Sequence, residues 1–202
     1  MTERIFEVEI SNKTSKGYET ATALEMPATW AEFHDALEKA RIKDARDCHN
    51  ELTKIEYPGI QRGMIGDNVN LYELNLLAQR LAMLSEDDRM GLDGLLQIEG
   101  GRHIGPIPLP RLINLTYNLD NYDFIPDIKD YDDLGRYYFF EGGYNIDNKF
   151  GSFVDYIDFE RYGEDCAINE GGTLTDAGYI RPTGDSWNRY FDGTLEDIPD
   201  EY

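Results

Sequence analysis

The chain has 202 residues, 41% of them hydrophobic and 12% aromatic, which supplies a core and excludes a disordered acidic polymer. Asp and Glu number 40 against 19 Lys and Arg, a net charge of -21 with a pI near 4.3. Such a field repels phosphate, which sets direct nucleic-acid binding aside, and draws in partners with basic clefts.

Ile5, Val8 and Ile10 lie in a β-prone run, and Tyr18 to Met26 reads as a second strand after a turn over Ser11 to Gly17. Thr29 with Glu32 makes a capping-box signature, and Trp30, Phe33 and Leu37 recur behind it at helical spacing, so a helix is predicted from about Trp30 to Arg41. Glu51 to Tyr57 offers a third strand before Pro58 and Gly59 break it.

Leu71, Leu74, Ala78, Leu81 and Leu84 form one apolar stripe on a helix that Asn70 and Glu73 can cap. Ser85 with Asp88 starts a second helix, with Leu92, Leu95 and Leu96 on its buried side. Gly100 to Pro110 reads as a loop or a domain boundary.

A short helix follows over Leu112 to Leu119, then a strand or loop over Asp120 to Ile128 interrupted by Pro126. Asp130 can cap the next helix, with Asp132 and Asp133 in its first turn and Gly142 or Gly143 at its end. The last helix is predicted from about Phe153 to Ile168, with Ser152 and Asp155 at its start. One strand over Thr173 to Arg181 and an acidic tail from Thr183 to Tyr202 complete the chain. The expected fold class is α+β, an elongated chain of about three small α+β or helical modules with an acidic surface. Its expected divisions are an N-terminal module over 1–60, a central helical one over 61–105, a C-terminal α+β one over 106–182 and a tail over 183–202.

Cys48 and Cys166 are too few and too far apart for a disulfide framework or a zinc site, and they fit a reducing, cytoplasmic compartment. The first ten residues hold no apolar core of signal-peptide length, and no later stretch approaches about 18 apolar residues, so no membrane partner is expected. His34, His49 and His103 sit in no nucleophile or ligand signature; Cys48 beside His49 is no more than adjacency. Carboxylate pairs arise by chance among so many acids, and Gly142-Gly143 and Gly171-Gly172 lack the context of a phosphate loop. The expectation is a protein that is not an enzyme and takes no cofactor or metal.

The acids are unevenly spread. Asp120, Asp123, Asp127, Asp130, Asp132 and Asp133 face only Lys129 within one short block, which lacks the Gly and terminal Glu of a calcium loop. On the predicted last helix Asp155, Asp158, Tyr162 and Asp165 stand at offsets of zero, three, seven and ten, a row along one face. Four helical residues rise about 6 Å, the same order as the phosphate spacing along a DNA strand. Solubility and salt adaptation are the competing explanations of negative charge; the second would thin out large apolar residues, yet 14 Tyr and 9 Phe are present.

In these segments the chain resembles the ArdA antirestriction family. The likeness rests on Val154-Asp155-Tyr156-Ile157-Asp158 through Tyr162-Gly163-Glu164-Asp165 and on Gly171-Gly172-Thr173. It rests also on Leu71-Tyr72-Glu73-Leu74-Asn75 through Leu84-Ser85-Glu86-Asp87 and on Asp132-Asp133-Leu134-Gly135-Arg136-Tyr137-Tyr138. In order, it covers about Phe6 to Tyr179. The Gly- and Pro-rich Gly100 to Pro110 and the extension from Thr183 to Tyr202 depart from the family.

The resemblance implies three small domains, dimerisation through the C-terminal part and an acidic surface that imitates bent duplex DNA. It implies a protein of a phage or mobile element that fills the DNA groove of the type I restriction and modification complex of specificity and methyltransferase subunits. The site residues expected to face that partner are Asp120, Asp123, Asp127, Asp130, Asp132, Asp133, Asp155, Asp158, Glu160, Glu164 and Asp165. Another basic defence nuclease, such as a CRISPR effector, is the alternative target, and an acidic scaffold that imitates nothing is the alternative role.

Overall fold

β1 (Phe6–Asn12) turns Phe6, Val8 and Ile10 into the core and Glu7 and Glu9 to the opposite face, the alternation of a half-buried strand. It is the centre of an antiparallel sheet of order β2-β1-β3, between β2 (Thr22–Met26) and β3 (Cys48–Ile55), with Phe6 opposite both Met26 and Ile55. A computed structural model describes residues 3–13, 20–141, 154–193 and 195. Part of the turn expected over Ser11 to Gly17, and both Gly142 and Gly143, lie outside the described residues.

Helix α1 (Trp30–Lys39) starts where the capping box predicts. The Thr29 hydroxyl accepts from the Glu32 amide at 3.3 Å, and the Glu32 carboxylate accepts from the Thr29 amide at 2.8 Å. That backbone bond, with Arg4 beside it, holds the Glu32 carboxyl down at about 2. Phe33, Ala36 and Leu37 are buried, and the Phe33 ring stacks on Tyr72 at 5.0 Å.

Asn70 caps α2 (Leu71–Met83) and Ser85 caps α3 (Glu86–Arg102), both as expected. The fully buried Asn75 of α2 satisfies both main-chain groups of Ala28, accepting at 2.7 Å and donating at 3.0 Å, and so joins the helices to the sheet. α3 runs through Gly100 and Gly101, where a loop was expected. The buried Glu99 carboxylate accepts from Arg111 Nε at 2.9 Å and Nη2 at 2.7 Å, linking that last turn to α4 (Leu109–Tyr117).

These elements, with residues 188–202, make one unit; residues 120–187 make the other. In the second unit β4 (Tyr122–Pro126) leads to α5 (Tyr131–Glu141) and α6 (Phe159–Glu170), then to β5 (Thr173–Thr175) and β6 (Gly178–Pro182). The sheet is antiparallel with order β4-β6-β5, and Leu134, Ala167, Tyr179 and Ile128 form the core beneath it. The single strand expected over Thr173 to Arg181 is therefore a hairpin. Thr175 pairs with Gly178 across Asp176 and Ala177, and a Cβ on Gly178 would lie 2.5 Å from the Ile125 carbonyl oxygen, so only glycine lets the strands close.

The segment expected to be a tail returns to the first unit. Phe191 is 4% exposed, and α4 reads the main chain before it through two buried asparagines. Asn114 accepts from the amides of Tyr190 at 2.8 Å and Phe191 at 3.0 Å and donates to the Phe191 carbonyl at 2.7 Å. Asn118 accepts from the Asn188 amide at 2.9 Å and donates to its carbonyl at 2.8 Å. Composition hid this docking: the segment is acidic overall, and its contacts are made by backbone atoms and one aromatic ring.

Candidate functional site

Residues 120–187 carry 16 acids against 5 bases, whereas the remaining 134 residues carry 24 against 14. The acids predicted to face a partner all belong to this smaller unit. They are exposed, except for the half-buried Asp132 and Asp133.

Five of them have local structural tasks. Asp130 accepts from the Asp133 amide at 2.9 Å, capping the start of α5, and Asp133 accepts from the Lys129 amide just before it at 3.1 Å. Asp132 pairs with Arg136 one turn on at 2.6 Å. Asp123 stands opposite Arg181 across β4 and β6 and pairs with it at 3.0 Å. Asp158 caps α6, accepting from the Arg161 amide at 3.1 Å.

That cap corrects the predicted row. α6 begins at Phe159 rather than near Phe153, because the Asp158 carboxylate takes an amide that a continuing helix would have bonded to a carbonyl. Asp155 lies in a separate 3-10 turn, Val154–Tyr156, and Ser152 is outside the described residues. The four positions therefore do not share one helix; only Tyr162 and Asp165 do. Glu160 and Glu164 are in α6 at four-residue spacing and exposed. The side chains of Asp120, Asp127, Asp155, Glu160, Glu164 and Asp165 make no hydrogen bond or ion pair with another described residue.

Beneath these acids the helices cross at two glycines. A Cβ on Gly135 would lie 2.0 Å from the Phe159 carbonyl oxygen, so the crossing admits no side chain there. The other end of the unit is tied by Arg181, whose Nη1 donates to the Tyr138 hydroxyl at 2.8 Å and to Glu170 at 3.1 Å. Tyr138 and Tyr179 both donate to Glu170 Oε2, at 2.5 and 3.2 Å. Burial, with Glu170 as hydrogen-bond and charge neighbour, pushes both phenols up. Sequence reasoning did not find these organising residues. A signal was present in the two glycines placed in helices where alanine is favoured.

Among the described residues no helix is long and apolar enough to cross a membrane, and no three His, Cys, Asp or Glu side chains are grouped to hold a metal ion. No curated protein matches the chain. The family model described as antirestriction protein (ArdA) matches residues 12–181, taking in every helix from α1 to α6, all the strands but β1 and the last residue of β6, and every acid expected to face a partner. With more than half of its length under that match, the chain belongs to the ArdA antirestriction family, a family of non-enzymatic inhibitors directed against restriction–modification enzymes.

Proposed function

We propose that the protein blocks type I restriction–modification enzymes by presenting an acidic, DNA-like surface to the DNA groove of their methyltransferase and specificity complex. The observation that carries this reading is the set of exposed carboxylates on residues 120–187 that pair with no other described residue, with Glu160 and Glu164 one helical turn apart. Their rise of about 6 Å along α6 is of the order of phosphate spacing. Like charges one turn apart cost a helix a few tenths of a kcal/mol, so solubility is better served by scattered acids than by this arrangement. The same reading places the protein in the host cytoplasm and in two copies. The second unit leaves Phe140, Tyr156 and Ile168 exposed, at 53%, 86% and 70%, apolar surface suited to a homodimer.

The test is competition. Purified protein and duplex DNA should exclude one another from a type I methyltransferase core, with binding that weakens as salt rises. Binding to the core together with DNA, at low salt, sinks the proposal. Sedimentation of Y156D and I168D should show dissociation of the homodimer.

A further inference from the structure

The two edges of the first sheet differ. On β3 the Asn68 amide donates to the Asn50 carbonyl at 2.8 Å, the Asn68 side chain accepts from the Asn50 amide at 3.2 Å, and Asp67 reaches the Leu52 amide at 3.4 Å. A central strand turns its main-chain groups to each neighbour alternately. Asn50, opposite Ile10, faces Asn68, so Ile10 bonds to Thr22 on β2, and the main-chain groups of Ala23 and Glu25 point away from β1. No described residue covers them. This open edge runs beside α1, and a cavity of about 290 Å³ between the two is lined by Thr22, Leu24, Asp35, Ala36 and Lys39. The solvent face of the same sheet sets like charges directly opposite one another, Glu7 to Glu25 and Glu9 to Glu51. Such pairs cost a sheet stability. The nearby cations are engaged, Arg4 with Glu25 and Glu32, Lys39 with Asp35, and Lys54 with Glu56, which leaves the Glu9 and Glu51 carboxylates with no partner among the described residues.

We propose that the β2 edge takes up an extended segment of a partner protein as a fourth strand, one with Lys or Arg at alternate positions and apolar residues between them. Strand addition draws its affinity from main-chain bonds, here to Ala23 and Glu25, and its specificity from alternate side chains. On the added strand, side chains of one face fall directly beside Glu25, with Glu7 and Glu9 on the strand beyond; those of the other face enter the groove against Leu24 and Ala36. Cations on the first face relieve the opposed glutamates, and apolar groups on the second extend the core under α1. None of these residues is an acid of the proposed DNA-like surface, so the edge works whether or not that surface enters a DNA groove.

The experiment titrates the full-length protein with the peptide Ac-Lys-Val-Lys-Val-Lys-NH2 and follows its amide NMR signals. Two further peptides separate charge from pairing: one with Glu in place of each Lys, and one N-methylated at its lysines, which keeps the charge and loses the main-chain donors that would face Ala23 and Glu25. The lysine peptide should shift the amides of residues 22–26, and the glutamate peptide should leave them unmoved. The N-methylated form should bind about tenfold more weakly, the loss of one or two hydrogen bonds. Glu25→Gln should weaken the lysine peptide about threefold, the scale of one cross-strand pair, with the other signals in place. Equal binding of the N-methylated peptide overturns strand addition and leaves charge alone, and an absence of shifts at 22–26 with the lysine peptide overturns the site. Shifts at 22–26 that grow with protein concentration, without peptide, identify a second copy as the occupant and overturn the basic partner.

Discussion

Gly135 and Gly163 face one another where α5 crosses α6: a Cβ placed on Gly163 would stand 1.9 Å from the Tyr131 carbonyl oxygen and 2.7 Å from the Gly135 amide nitrogen. Backbone therefore packs on backbone, and the exposed sides of both helices carry acids. Both glycines belong to the motifs by which the chain resembles its family, so those motifs record a packing requirement at least as much as a charge pattern.

Gly163→Ala should destabilise the second unit. Alanine gains about 1 kcal/mol of helix propensity over glycine, but forcing a methyl into a filled crossing costs about 1–3 kcal/mol and more against rigid backbone. Urea unfolding should show a net loss, and an unchanged or raised midpoint would contradict the crossing described here.

Arg181→Gln should loosen the sheet from its helices. The change removes the cation shared by the exposed Asp123 and the half-buried Glu170, and leaves the Tyr138 hydroxyl with one partner fewer. A loss of about 1–2 kcal/mol follows from charged hydrogen bonds in a half-buried setting. Asp123→Asn, at the more exposed end, should cost less than about 1 kcal/mol. Thermal unfolding of the two variants orders them.

Neutralising acids of α6 should act collectively. E160Q or E164Q alone removes one weak contribution from a distributed field, whereas E160Q/E164Q/D165N removes three neighbours. The triple variant should bind a methyltransferase core at least tenfold more weakly than either single variant at low salt, with a shallower salt dependence. A collapse of binding from one substitution alone points instead to a specific contact.

Two half-buried or buried acids give opposite pH signatures. Burial raises the Asp93 carboxyl, whose Oδ1 has no hydrogen-bond partner among the described residues. From about pH 3.9 the unfolded chain gives up that proton while the folded one keeps it, so stability falls as pH climbs to the raised folded value. Asp93→Asn should match the unmodified protein below this window and exceed it above. The Arg111 hydrogen bonds lower Glu99, whose contribution is present above about pH 4.3 and lost as pH falls through the folded value. Glu99→Gln should cost about 2 kcal/mol at neutral pH, with a gap that closes on acidification. Denaturant midpoints measured from acid to neutral pH check both signs.

Much of the fold was legible because local signals agreed with tertiary ones. Thr29 with Glu32, Asn70, and Ser85 with Asp88 begin their helices where residue type alone placed them, and the β1 alternation survives intact. The failures share a cause. Asp158 was read by its spacing from Asp155, a periodicity argument, although as a cap it stops the helix from reaching back. Asp176-Ala177 carries no Asn-Gly signature, so the β5–β6 turn, closed by Gly178, was not seen. Gly100 and Gly101 were read as breakers, whereas the buried ion pair of Glu99 with Arg111 holds the helix through them. For the candidate site, sequence names the acids but not which of them are engaged in local bonds. Asp123 and Arg181 meet only through a strand register that joins positions 58 residues apart.

The hydrogen bonds between Asn118 and Asn188 bring the two ends of residues 120–187 side by side. A segment that leaves and rejoins its host at neighbouring points is a cassette. Asn114, Asn118 and the buried Phe191 fasten the returning chain, so truncation before residue 188 would strip two buried side-chain amides of α4 of main-chain partners.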